Sequence, residues 1–310
     1  MIKAEGILPC ARKKNCGYFF ISFMKSFQNR IASISGSQPD RVILKPVGGG
    51  SINKCFLVQT PSKKFFCKIN DSKKFPSLFL KEKAGLLQLN ELSSFSVPRV
   101  IDCFEQFDSQ FLLMEYIEEG EKTDSFWKMF GEKLAMMHSV SAKFYGNTEN
   151  NYMGSVKQDN TWMEDWTSFY REKRLKPLLQ SCFQHNLLQS QHLDDFEKLF
   201  KKLRDVFEIN KPSLLHGDLW SGNFMCSKEN EPVLIDPAVY YGHPAMDLGM
   251  STMFGGFNKI FYEAYNHHAP FPSNYHEQWE MAQLYPLLIH LLLFGKSYLG
   301  RIEQTIARFK

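Results

Sequence analysis

In the segment LLHGDLWSGNF, Asp218 precedes Asn223 by five positions, and Asp236 follows thirteen residues later in VLIDPA. A carboxylate, an amide and a second carboxylate at these intervals place a proton acceptor beside a pair of hard oxygen ligands, which is what phosphoryl transfer on a Mg²⁺-bound nucleotide requires. Asp218 would accept a hydrogen bond from the attacking hydroxyl and orient it in line with the phosphate, while Asn223 and Asp236 would hold the metal. Each residue alone is an ordinary turn or N-cap residue. The joint pattern is different, because apolar strand residues lead into each of its two loops: Leu214 and Leu215 before Asp218, and Val233, Leu234 and Ile235 before Asp236. His216 reads as a brace for the loop, and its position also makes it a candidate for touching substrate; the role of base is already filled by Asp218.

The interval from Asp218 to Asn223 and on to Asp236 is the one by which protein kinases set base and metal ligands on adjacent loops. Three further features fit that frame. The segment PVGGGSINKCFLV puts Gly48, Gly49, Gly50 and Ser51 in a turn between two strands, where backbone N–H groups without side chains can approach a phosphate. It is not a Walker A loop, since no GK[ST] follows, nor a dinucleotide fingerprint, since a strand and not a helix comes next. Lys68 lies in the strand FFCKIN and Glu82 in the helix after it, the placement of a nucleotide-gripping lysine and its ion-pair partner. In LLMEYIEEG an apolar strand passes into a polar linker, so Glu115, Tyr116 and Ile117 are where the backbone could meet an adenine edge.

The elements that must position these residues follow from periodicity. RVILKPV, NKCFLVQT and KFFCKIN predict an antiparallel meander, SLFLKEKAGLLQLN a helix, and VPRVIDCFEQ and QFLLMEYIEE two more strands. After Gly120 the pattern turns helical, in DSFWKMFGEKLAMMHSV, WMEDWTSFYREKRLKPLLQSCFQ and LDDFEKLFKKLRDVFEI, with LYPLLIHLLLFG a buried helix. A strand-and-loop insertion from Leu214 to Pro237 interrupts them. The fold class is therefore α+β, two-lobed and protein-kinase-like: an N-lobe of antiparallel sheet plus helix over residues 24–118, and a mostly helical C-lobe over 119–310. An amphipathic helix is expected to begin at Met24, in MKSFQNRIASISG, which leaves residues 1–23 as an extension.

Composition excludes several alternatives. With 37 basic and 33 acidic residues the net charge is only +4, so no nucleic-acid partner is expected. Seven scattered cysteines without a C-x-x-C pair fit a reducing compartment, and the pair His267–His268 is too sparse for zinc. ARKKN followed by CGYFFISFM resembles a signal peptide only superficially, because the run is short and has no small-residue cleavage site. No uncharged stretch reaches the roughly 20 residues that span a membrane. A cytoplasmic protein without a membrane partner is expected.

The segments LLHGDLWSGN, LIDPAVYYGHPAMDL, MFGGF, WTSFYREKRL and LYPLLIHLLLFGKSY together resemble the fructosamine kinase (ketosamine-3-kinase) family, a branch of the aminoglycoside and choline kinase-like group, from about residue 24 onward. The resemblance implies ATP- and Mg²⁺-dependent phosphorylation of the 3-hydroxyl of a ketoamine, free or protein-bound. It maps Asp218 to the catalytic aspartate, Asn223 and Asp236 to the metal ligands, Lys68 and Glu82 to the nucleotide pair, and Trp220 to the wall of the sugar pocket. Two positions depart from the family pattern. Ala245–Met246 stand where many relatives carry an acidic residue, and Ser51 where some carry a cysteine, so no redox switch is expected there. Two other readings stay open. A choline- or aminoglycoside-type kinase would use the same loops, but polycations need carboxylates, and the closing FGKSYLGRIEQTIARFK holds only Glu303; a choline-like cation could still stack on Trp220. A pseudokinase would keep the fold and lack a catalytic group, whereas all are present.

Overall fold

The structure is a computed structural model that describes residues 16–48, 52–207 and 211–309, with side chains from residue 22 onward. Its residues divide into two compact units, Met1–Lys83 with Pro98–Glu118, and Ala84–Val97 with Glu119–Lys310. One boundary falls inside a helix, which strand and helix periodicity does not reveal.

The first unit is built on five antiparallel strands, β1 (Ile43–Val47), β2 (Lys54–Gln59), β3 (Lys64–Asp71), β4 (Val100–Gln106) and β5 (Ser109–Glu115), in the order β1-β2-β3-β5-β4. Helix α1 (Cys16–Ser35) precedes them. It starts at Cys16 rather than at Met24, and Phe23, assigned above to the extension, is buried in the core. The reason is spacing: Phe23, Phe27 and Ile31 recur every fourth residue and form one apolar stripe. That stripe packs on Phe56, Val58, Cys67, Phe111 and Leu113, which share one face of the sheet by period-2 alternation. The Arg30 guanidinium pairs with Asp102 at 2.6 Å and lies 3.9 Å from the ring of Phe104, tying α1 to β4. Helix α2 (Leu78–Leu92) follows β3 and carries Glu82.

The second unit is mainly helical. It comprises α3 (Asp124–Ser139), the hairpin of β6 (Asn151–Met153) and β7 (Val156–Gln158), then α4 (Trp166–Phe169), α5 (Lys176–Gln184), α6 (Ser190–Phe200) and α7 (Leu203–Val206). The expected single helix over residues 162–184 is instead α4 and α5 joined by a π-helical turn, Tyr170–Leu175. Four short strands follow, β8 (Ser213–Leu215), β9 (Phe224–Cys226), β10 (Pro232–Leu234) and β11 (Tyr240–Gly242), paired as β8–β11 and β9–β10. Helices α8 (Ala245–Ser251), α9 (Lys259–His268), α10 (Tyr275–Phe294) and α11 (Leu299–Arg308) complete it.

Helix α3 is capped by Thr123, whose hydroxyl accepts the N–H of Phe126 at 3.3 Å. Its Gly131 allows close approach to α9, since a Cβ there would lie 2.2 Å from the carbonyl oxygen of Phe261. Pro286 inside α10 has no N–H to give the carbonyl of Ala282. The hydroxyl of Tyr170, from the π turn, donates to that carbonyl at 3.3 Å and to the carbonyl of Met281 at 2.7 Å. One irregularity thus satisfies the other. No helix among the described residues is long and apolar enough to cross a membrane.

Candidate active site

Each unit holds part of the predicted chemistry. In the second unit, Asp218 and Asn223 lie on the loop from β8 to β9, and Asp236 lies between β10 and β11. The Asn223 amide donates to the backbone carbonyl of Asp218 and to its carboxylate, each at 2.9 Å. This fixes the amide orientation and leaves Oδ1 as a ligand atom. The two loops are joined where Ile235 N–H donates to the carbonyl of Asn223 at 3.1 Å and Ala238 N–H to that of His216 at 2.8 Å. Asp236 has φ of 55°, a left-handed backbone that aspartate tolerates better than most residues. Such conformations persist where surrounding bonds over-determine them, often at functional sites.

Gly217 is required twice over, by φ of 84° and because a Cβ would lie 2.1 Å from the Ala238 carbonyl oxygen. Gly222 lets the chain pass under Trp220, whose indole would be 2.4 Å from an added Cβ. Trp220 is half-buried beside Asp218 and meets Phe254 edge-on at 5.9 Å.

His216 is 0% exposed, which rules out the direct substrate contact considered above. Its Nδ1 accepts the Asp218 N–H at 3.3 Å, so Nε2 carries the proton and donates to the Ile235 carbonyl at 2.9 Å. Burial lowers its pKa and keeps the ring neutral. The imidazole therefore clamps the base loop to the Asp236 loop.

Asp247, on α8, was not singled out by the sequence as part of the machinery. Its carboxylate accepts the N–H of His216 at 2.7 Å and of Gly217 at 2.9 Å, and the imidazole Nε2 of His138 lies 3.3 Å away. His138 Nδ1 in turn meets the Tyr265 hydroxyl at 2.9 Å. A charged residue amid the apolar AMDLGM was the available signal, since a buried carboxylate must be paired. Its partners lie too far along the chain for spacing to reveal them.

In the first unit, Lys68 on β3 pairs with Glu82 on α2 at 2.6 Å, with only 2% of the lysine side chain exposed. The end of β5 is less available than expected at Glu115: its N–H donates to the Arg99 carbonyl at 3.0 Å and its carboxylate accepts the Arg99 N–H at 2.9 Å. The irregular chain at Tyr116 and Ile117 follows. A Cβ on Gly48 would meet nothing within 4 Å, so no crowding imposes glycine there. Gly49, Gly50 and Ser51 lie outside the described residues.

The donor set fits Mg²⁺. Burial first, and the charge of Asp236 second, push the Asp218 carboxyl up to about 7. No cluster of three or more His, Cys, Asp or Glu among the described residues could cage a metal. One carboxylate with one amide oxygen suits a hard cation that keeps waters and takes its other ligands from nucleotide phosphates. The paired Lys68 likewise suits a triphosphate.

Fold and loops define a phosphotransferase of the protein-kinase-like class. The Thermobifida fusca structure designated a fructosamine-3-kinase superimposes with a TM-score of 0.80 at 29% identity, covering 91% of this chain and 98% of that one. The aminoglycoside phosphotransferase APH(4)-Ia, at 11% identity and a TM-score of 0.59, shares the fold. In sequence, protein-ribulosamine 3-kinase of Arabidopsis thaliana is 38% identical over 262 residues, 81% of this chain and 78% of that protein. A Staphylococcus aureus protein designated a ketoamine kinase is 34% identical over 85% of this chain and 91% of its own length. The fructosamine kinase family model matches residues 23–310, and the chain belongs to that family.

Proposed function

We propose that the protein transfers the γ-phosphoryl group of ATP to a hydroxyl of a ketoamine, with a fructosamine or ribulosamine as the substrate class. The observation that carries this reading is the joined pair of loops: Asp218 held by Asn223 at 2.9 Å, with Asp236 on the adjoining turn. The names of the relatives supply the acceptor, a ketoamine or ribulosamine. Asp218 receives the hydrogen bond of the attacking hydroxyl, orients its oxygen and takes its proton as the new P–O bond forms. Asn223 Oδ1 and Asp236 would hold Mg²⁺, which when bound neutralises phosphate charge. Lys68, steadied by Glu82, would grip the nucleotide phosphates, the chain at Tyr116 and Ile117 would meet the adenine, and Trp220 would form a wall for the sugar. His216 and Asp247 act earlier, by fixing the backbone from which Asp218 projects.

The test is ATP consumption by the purified protein with Mg²⁺ and a fructosamine, a ribulosamine, choline or kanamycin. Ketoamine-dependent turnover is expected, reduced about 10²- to 10⁴-fold by Asp218→Asn. Turnover of choline or kanamycin alone would replace the substrate assignment. Unchanged turnover in a folded Asp218→Asn protein would remove Asp218 from the mechanism.

A further inference from the structure

Within the second unit lies a cavity of about 270 Å³, lined by His243, Tyr265, Phe271, Gln278 and Trp279 together with alanines and prolines. Its volume suits a molecule of one or two rings. No Asp, Glu, Lys or Arg lines it, so a charged occupant would be desolvated without a partner. The polar groups of the wall are specific. His243, 4% exposed, accepts the Ala245 N–H on Nδ1 at 3.2 Å. Its proton therefore sits on Nε2, which has no partner among the described residues. Gln278, 3% exposed, donates one of its two amide N–H groups to Asn274 Oδ1 at 3.1 Å and keeps its carbonyl oxygen unengaged among the described residues. At least one donor and one acceptor without a protein partner among the described residues thus belong to the wall of an aromatic-lined space, and an occupant of that space has to replace the water that meets them.

The cavity also touches the support of the catalytic loop. Tyr265, in its wall, holds His138 at 2.9 Å; His138 reaches Asp247 at 3.3 Å; Asp247 binds the N–H groups of His216 and Gly217. We infer that this cavity binds a small neutral heteroaromatic molecule bearing a donor and an acceptor, and that its occupancy shifts the Tyr265–His138–Asp247 chain beneath Asp218. The inference does not depend on the substrate assigned above.

The probe is 7-azaindole, added to the full chain while the indole N–H signal of Trp279 and the backbone amide signals of His216 and Gly217 are followed by NMR. Fragments of this size bind in about the millimolar range. Saturable displacement of all three signals is expected. Ala269→Trp, which fills the cavity from its half-buried rim, and Gln278→Leu, which removes the acceptor, should each weaken binding about tenfold or more. Circular dichroism identifies a variant that fails to fold, in which case the other variant decides. Absence of saturable displacement up to about 20 mM, or displacement undiminished in the folded variants, overturns the site. Displacement of Trp279 alone, with His216 and Gly217 unmoved, overturns the coupling to the loop.

Discussion

Lys68 in the first unit and Arg174 in the second are both buried cations, and they are held in opposite ways. Lys68 has a carboxylate, Glu82, at 2.6 Å. Arg174 is 0% exposed and has no carboxylate partner among the described residues. Its guanidinium lies over the rings of Tyr240 at 4.2 Å, Phe169 at 4.6 Å and Tyr285 at 5.5 Å. It donates to the carbonyls of Asp159 at 2.8 Å and Lys173 at 3.3 Å and to the side chain of Asn160 at 2.7 Å. The planar guanidinium supports this cage of ring faces and carbonyls, which an ammonium would not. An ion pair can exchange part of its partnership for a phosphate. A cation enclosed by rings and fixed carbonyls has no such exchange open to it, and it serves the fold.

Removing each cation tests that distinction. Arg174→Ala deletes three hydrogen bonds and leaves a void, and should cost about 3–5 kcal/mol in chemical denaturation. A folded Arg174→Ala protein with unchanged stability but lost turnover would erase the contrast. The double variant Lys68→Met, Glu82→Gln removes both charges together, so its stability should stay within about 1 kcal/mol of the parent. Its kcat/KM for ATP should fall about 10²-fold, as when one preorganised electrostatic contact is lost. A loss of stability as large as that of Arg174→Ala would make Lys68 a structural cation too.

His243 sharpens the comparison from a third side, because it is buried as a neutral base. Burial, and then the nearby His138, lower its pKa to about 3 from 6.5. Between these values the unfolded chain binds a proton that the folded chain does not. This contribution to stability is therefore complete above pH 6.5 and is lost as pH falls toward 3, by about 2 kcal/mol at pH 5. His216 and His290 are shifted in the same direction, so the difference between the parent and His243→Gln isolates the effect. The variant should show a shallower fall in denaturation midpoint between pH 6.5 and 5; parallel curves would mean that His243 is not held neutral by burial.

The parts of this molecule legible in the sequence are those written at short intervals. Period-2 alternation gives the strands of the first unit. The five- and thirteen-residue spacings give Asp218, Asn223 and Asp236 because consecutive turns carry them. The Lys68–Glu82 pair follows from one strand and the helix after it. The rest depends on partners distant in sequence. The π turn at Tyr170–Leu175 keeps helical spacing of apolar residues and is distinguished only by Tyr170 reaching across to α10, 111 residues away. Asp247 shows itself only as an anomaly among apolar neighbours, and the early start of α1 is hidden by a run that also suits a membrane-targeting segment. Cavities leave no periodicity at all.

The Asp247 bonds also bear on the order in which the molecule assembles. Asp247 is separated from His216 by 31 residues and from His138 by 109. Contacts of such separation close only after loop entropy has been overcome, later than helices and hairpins form. A refolding chain will thus regain its helical content before α8 docks and the Asp218 loop acquires its final backbone. Competence for chemistry therefore rests on contacts that close only after the local elements have formed.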